Sequence, residues 1–133
     1  MAGTIVADTI QDGAGNSTAM DNAIYGSAKA WVNFNGASSP TIRASYNVSS
    51  ITRNAGGDWT VNMTNALTDA NYSYCVNFSP VYGAYWSAGV SINAAGTSLT
   101  EQAPTTTSFR FLTYFITNGN GQDSKYVNVI VLR

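Results

Sequence analysis

Nucleophilic hydrolysis is the first chemistry that the side chains of this sequence raise. Its 133 residues include fourteen serines but no histidine to serve as the activating base. The G-x-S-x-G turn that lifts a nucleophilic serine above a sheet is missing too. Cys75 lies between Tyr74 and Val76 in a strand-like alternation, with no imidazole to pair with. It therefore reads as a buried or half-buried structural cysteine. Paired carboxylates can cleave glycosides, and the acids here are Asp8, Asp12, Asp21, Asp58, Asp69, Glu101 and Asp123. Nearly all fall in expected turns, where Asp bonds the local backbone. Asp58 and Asp69 flank one strand at opposite ends, too far apart to work together. The enzymatic reading that survives is a carboxylate site shared between subunits, and a non-enzyme is expected.

Metal and cofactor motifs fare no better. Asn118-Gly119-Asn120-Gly121-Gln122-Asp123 matches part of the G-x-G-x-D core of calcium-binding nonapeptide repeats. It occurs once, and Lys125 stands where those repeats carry an apolar residue. A hairpin connection that needs positive φ explains the run without a metal. One cysteine and no histidine leave no multi-cysteine zinc site and no intrachain disulfide. Gly13-Ala14-Gly15 lacks the third glycine of a dinucleotide fingerprint and reads as a turn. No metal or cofactor is implied. N-x-S/T triplets at Asn16, Asn47, Asn62 and Asn71 are what chance supplies in so Asn-, Ser- and Thr-rich a chain. Met1–Thr9 lacks the basic and apolar regions of a secretory signal, so glycosylation is not implied.

The stretch Pro80-Val81-Tyr82-Gly83-Ala84-Tyr85-Trp86 can do something else. Tyr82, Tyr85 and Trp86 around a Pro/Gly breaker pair would present flat apolar faces from a loop. With hydrogen-bonding neighbours, such faces suit sugar rings or a protein partner. The competing reading folds one or two of these rings back as core cover. Trp31 and Trp59, by contrast, sit in regular alternation and read as core or subunit-contact residues.

Composition narrows the partners. Charged residues make up 10 % of the chain, six Lys+Arg and seven Asp+Glu with a net charge of −1, against about 25 % in a typical domain. Six scattered cations form no basic stripe, which argues against nucleic acid and against an electrostatic membrane anchor. No apolar run approaches the ~20 residues of a membrane-spanning helix. Asn, Ser and Thr must supply most of the polar surface.

Period-2 alternation supplies the scaffold. Ala28, Ala30, Val32 and Phe34 share one face, and Ile42, Ala44, Tyr46 and Val48 repeat the pattern. Asn54-Ala55-Gly56-Gly57 joins Ser50–Arg53 to Asp58–Thr64 as a hairpin. Strands are expected at Tyr72–Phe78, at Tyr85–Ile92, in a short segment at Ser98–Glu101, and at Thr107–Thr117. Tyr126–Leu132 carries apolar residues on both faces, as in a central strand or one at a subunit contact. No amphipathic helix is visible. The whole predicts an all-β, antiparallel β-sandwich, jelly-roll-like, over residues 27–133. Residues 1–26 lack a core of their own and predict an extended N-terminal arm or stem.

Several blocks of the sequence carry a family resemblance. They are Lys29-Ala30-Trp31-Val32-Asn33-Phe34-Asn35-Gly36, Ile42 through Ile51, Gly57-Asp58-Trp59-Thr60-Val61-Asn62, the Asp69-Ala70-Asn71-Tyr72 turn and Tyr126 through Val131, behind a Met1-Ala2-Gly3-Thr4 leader. Together they resemble tailed-bacteriophage virion surface proteins of the tail-fibre-like and head-decoration-like kind. The resemblance implies a non-enzymatic, β-rich virion protein that is usually homotrimeric, and it brings no catalytic residues. A chain of about one domain with an arm fits a capsid decoration (cement) protein bound to the major capsid protein. The alternative is a fibre adhesin that holds a host-surface glycan through the 80–86 loop.

Overall fold

The computed structural model describes residues 3, 6–79, 86–89, 102–115 and 121–133. Within them, a short hairpin of β1 (Thr9–Gln11) and β2 (Ser17–Ala19) leads into α1 (Met20–Gly26). Eight longer strands follow: β3 (Ala28–Asn35), β4 (Thr41–Tyr46), β5 (Val48–Ala55), β6 (Asp58–Met63), β7 (Ser73–Ser79), β8 (Trp86–Gly89), β9 (Ser108–Phe115) and β10 (Tyr126–Leu132). They form two antiparallel four-stranded sheets, ordered β4-β3-β10-β7 and β5-β6-β9-β8. The expected antiparallel sandwich is present. Its consecutive pairs β3–β4 and β5–β6 are hairpins within one sheet and β8 pairs antiparallel with β9, pairings that do not by themselves make a jelly roll. The short segment expected at Ser98–Glu101 lies outside the described residues.

Alternation decides what goes inside. Ala30, Val32 and Phe34 of β3 are opposite Val131, Val129 and Val127 of β10, and all six are buried. The facing sheet contributes Trp59, Val61 and Met63 from β6 and Phe109 and Phe111 from β9. Trp59 is fully buried and meets Phe34 edge-on across the sandwich, with ring centroids 5.5 Å apart, a favoured aromatic geometry. Its indole Nε1–H donates to Thr113 Oγ1 at 3.3 Å, so the one polar atom of the ring is satisfied.

Residues at the sandwich ends fix how the strands connect. Asn47, at φ 54°, stands where the chain leaves the first sheet at β4 and enters the second at β5. Its amide donates to Lys29 O and Asn65 O and accepts from Asn65 N–H, which holds a left-handed turn that Asn tolerates. At the other end Gly57, at φ 69°, closes the β5–β6 hairpin. Asp123 accepts the Gly57 N–H at 2.8 Å and pairs with Arg53 at 3.0 Å. A Cβ on Gly57 would stand 2.2 Å from Gln122 N and from Thr113 O. Only glycine fits there.

Two expectations change. The pattern Ile42–Ala44–Tyr46 predicts a buried face, yet every residue of β4 is exposed. It is an edge strand, and a bulge beside Asn33/Phe34 shifts its register so that Tyr46 is opposite the outward Trp31. Asp58 is no turn residue bonding local backbone. It opens β6, fully buried, under the Arg110 guanidinium. The absence of helical periodicity in the sequence is matched by a helix of just seven residues, too short to leave a trace.

Gly57→Ala should lower unfolding stability by about 2 kcal/mol or more, since strained backbone and a clash add. Gly13→Ala, with nothing within 4 Å of the added Cβ, should change it by under about 0.5 kcal/mol. Urea titration of the two variants checks the difference. A second expectation concerns Tyr72, whose hydroxyl donates to Thr105 O at 2.9 Å and whose pKa burial pushes up to about 12. The folded state therefore favours the neutral phenol. That contribution is full below the unfolded value near 10 and is lost as pH rises from about 10 to 12. Urea midpoints measured across pH 9–12 should fall, and Tyr72→Phe should flatten this fall.

Candidate functional site

The outer faces of the two sheets are unlike each other, and the difference follows from strand register. On the second sheet the outward positions of β5 and β6 are polar and satisfy one another. Asn54 donates to Asp58 Oδ1 at 3.1 Å and to Thr60 Oγ1 at 2.9 Å. Asn62 donates to Ser50 and Thr52 hydroxyls at 3.0 and 3.1 Å. Arg110 grips Asp58 with two nitrogens, one at 2.7 Å, and this pairing raises the Arg110 pKa further above its ordinary value. This part of the face presents closed hydrogen bonds to its surroundings.

The first sheet does the opposite. Its register sets Tyr46, Trp31, Ile130 and Cys75 opposite one another in one row across all four strands. A second outward row, Ala44–Asn33–Asn128–Asn77, runs beside it, and Asn33 donates to Asn128 Oδ1. Leu132 extends the apolar row along β10, and Tyr126 lies outward beyond Asn128. Tyr46 is 58 % exposed, Tyr126 47 %, Ile130 and Leu132 40 % and Trp31 39 %. Tyr46, Trp31, Ile130 and Leu132 together form an apolar patch of the kind that marks interaction sites, and Tyr126 stands across the Asn row from it. Cys75 is exposed within it, which corrects the buried or half-buried expectation, because Val76 and not Cys75 takes the inward place opposite Val129.

Charge on this face is one-sided. The Arg43 guanidinium lies 4.5 Å from the centroid of the Tyr126 ring and Lys125 Nζ lies 5.8 Å from it, both in cation–π range. Arg43 also donates to Lys125 O at 2.8 Å. Lys29, outward on β3, bonds Ile24 O and Ser27 Oγ. The other three arginines are paired with acids, Arg53–Asp123, Arg110–Asp58 and Arg133–Asp69. Among the described residues Lys29, Arg43 and Lys125 have no acid partner.

The loop residues favoured by the sequence fall elsewhere. Tyr82 and Tyr85 lie outside the described residues, and Trp86 opens β8 with its backbone paired to Phe115. Among the described residues no three His, Cys, Asp or Glu side chains converge. Asp12 and Asp69 instead close local turns: Asp12 Oδ1 accepts Ala14 and Asn16 N–H, and Asp69 accepts Asn71 N–H. The bonds from Asn16 hold the Asp12 carboxyl below its usual range. Two hollows are open, one of about 460 Å³ beside Gly36 and Ser124, the other of about 600 Å³ between Ile24 and Tyr46. Comparisons of the chain with protein-family models, curated proteins and solved structures give no match.

The signal for this face was present in β10, which carries apolar residues at the outward positions Tyr126, Ile130 and Leu132 as well as at its inward valines. Trp31→Ser with Ile130→Ser should therefore leave unfolding stability within about 1 kcal/mol, since neither side chain is core. Trp59→Ala should cost about 3–5 kcal/mol. Urea denaturation of both variants tests that assignment of faces.

Proposed function

We propose that this chain is a non-enzymatic surface protein of a tailed-bacteriophage virion, and more concretely a homotrimeric capsid decoration protein that binds and stabilises the shell formed by the major capsid protein. The observation that carries the reading is the apolar row Tyr46–Trp31–Ile130–Cys75 across one outer sheet face, whereas the outward side chains of β5 and β6 on the other sheet are closed in their own hydrogen bonds. A sheet face that sets such a row in solvent is built to lie against something. Sparse charge supports the same reading, because copies packing together or onto a shell desolvate few ions. The blocks that resemble phage virion proteins supply the setting.

A second reading, a fibre adhesin that holds a host-surface glycan, is favoured by the rings of Trp31, Tyr46 and Tyr126 standing on a sheet beside the amides of Asn33 and Asn128. Stacking on sugar faces needs such rings. Decoration is preferred because Ile130 and Leu132 fill the same surface with groups that cannot hydrogen-bond, and the Asn33 amide already bonds Asn128.

The experiment is complementation of particles lacking the protein with the wild type or with Trp31→Lys/Ile130→Lys. The decoration reading expects particles without it to lose heat resistance, the variant to fail to bind and restore it, and host adsorption to stay unchanged. Lost adsorption with undiminished heat resistance would overturn decoration in favour of the adhesin.

A further inference from the structure

Residues 1–27 contain Asp8, Asp12 and Asp21 and no cation, while residues 28–133 contain all six cations and four acids. The body therefore carries an excess of positive charge, and its three cations without an acid partner among the described residues, Lys29, Arg43 and Lys125, all belong to the first sheet's outer side. The arm is as incomplete in apolar contacts as it is in charge. Val6 is 93 % exposed, Ile24 49 % and Ile10 45 %, and beyond the row on the first sheet and its neighbours these are the large apolar side chains left in solvent among the described residues. One segment thus holds acids, no cation and exposed apolar groups, and one sheet face holds cations without an acid partner among the described residues and an apolar row.

We propose that the outer face of the β4-β3-β10-β7 sheet receives the N-terminal arm of a second copy of this chain. The arm's own body holds it at its helix end, where Lys29 Nζ bonds Ile24 O and Ser27 Oγ, and this leaves the β1–β2 hairpin to be placed. β1, β2 and α1 make their principal contacts with one another, and an open hollow of about 600 Å³ is lined by Ile24 together with Tyr46, Leu67 and Arg133. The hairpin holds its shape without the sheet, since Asp12 accepts the N–H groups of Ala14 and Asn16 and Met20 N–H donates to Asp8 O. It is a preformed projection, ready to dock with little further ordering.

Area points the same way. Four strands about 4.8 Å apart and seven residues of about 3.4 Å give a footprint of roughly 450 Å², short of the ~800 Å² per partner of a standard stable interface. A sheet face alone is too small, and an arm given and an arm received by each copy make up the difference. Exchange of identical segments between protomers is an established route to closed oligomers. The inference adds to the decoration reading the contact that holds copies together, and it stands independently of which shell the assembly meets.

Full-length protein with charge reversals tests it, read as mass by light scattering. Asp8→Lys/Asp21→Lys reverses the arm, leaving the Asp12 turn intact, and Arg43→Glu/Lys125→Glu reverses the face. Wild type should form a multiple of 14.1 kDa at low ionic strength, weakened at least tenfold by 1 M salt, where screening reaches about 3 Å. Each reversed chain alone should fall towards 14.1 kDa with an unchanged circular dichroism spectrum. Mixing the two should restore complexes containing both chains, because each arm then meets a face of opposite sign. An arm folded onto its own sheet would leave the mixture monomeric, which overturns the proposal. Wild-type assembly insensitive to salt, or to either reversal, would overturn it too while leaving the decoration reading to the particle experiment. The salt titration needs no variant and decides the question should either reversed chain misfold.

Discussion

Everything in this fold hangs on burying Trp59 between two sheets. The ring is fully enclosed, reaches Phe34 of the facing sheet edge-on, and gives its only hydrogen to Thr113. Thr113 in turn donates to Gln122 O at 2.6 Å, and Thr113 N–H bonds Gly57 O at 2.8 Å. The central aromatic contact and the closure of the sandwich end are one connected structure. With β6 placed by that ring, alternation sends Asp58, Thr60 and Asn62 outward. The fully buried Asp58 is tolerable because Arg110 and Asn54 bond it, a pairing that an ionised carboxylate out of water requires.

The same alternation decides the outer faces, and there the two sheets diverge. On β5 and β6 of the second sheet the outward side chains are Asn, Thr, Ser and an Asp that pairs with Arg110 of β9, and they bond among themselves. In the first they are Tyr46, Trp31, Ile130 and Leu132, with Arg43 and Lys125 lying near the Tyr126 ring. A chain with only six cations and seven acids has little charge to spare as solubilising cover. It has nonetheless concentrated on one sheet three cations without an acid partner among the described residues, and three acids in the segment before β3. Those are the physical terms of an assembly surface, and they link the sparse charge to the proposed role.

Much of the scaffold was legible. β3, the β5–β6 hairpin, β7, β9 and β10 stand where period-2 alternation and the Asn54–Gly57 turn put them, because each repeats large apolar residues at every second position. β4 was misjudged because an edge strand buries neither face, so its Ile42–Ala44–Tyr46 pattern mimics a core strand, and the bulge that shifts its register leaves no mark in residue type. Cys75 was misjudged for a related reason. Either phase of Tyr74–Cys75–Val76 is apolar enough to face inward, and only the pairing with β10 picks one. The row Tyr46–Trp31–Ile130–Cys75 joins residues from four separated strands, and no single segment could announce it. The dual apolar faces of β10 did point towards a contact, whereas the aromatic run Tyr82–Trp86 drew attention to a loop for which Trp86 alone falls, by its backbone, on a described strand.

That Cys75 is exposed at one end of this row lets the central claim be measured on the unaltered protein. Thiol labelling rate by a maleimide would be compared between dilute chain at 1 M salt and concentrated chain at low salt. If the outer face of the first sheet is the contact surface between copies, Cys75 labels at least tenfold more slowly in the concentrated sample. Equal rates, in a sample shown by light scattering to be assembled, would place the contact elsewhere on the molecule and contradict the account.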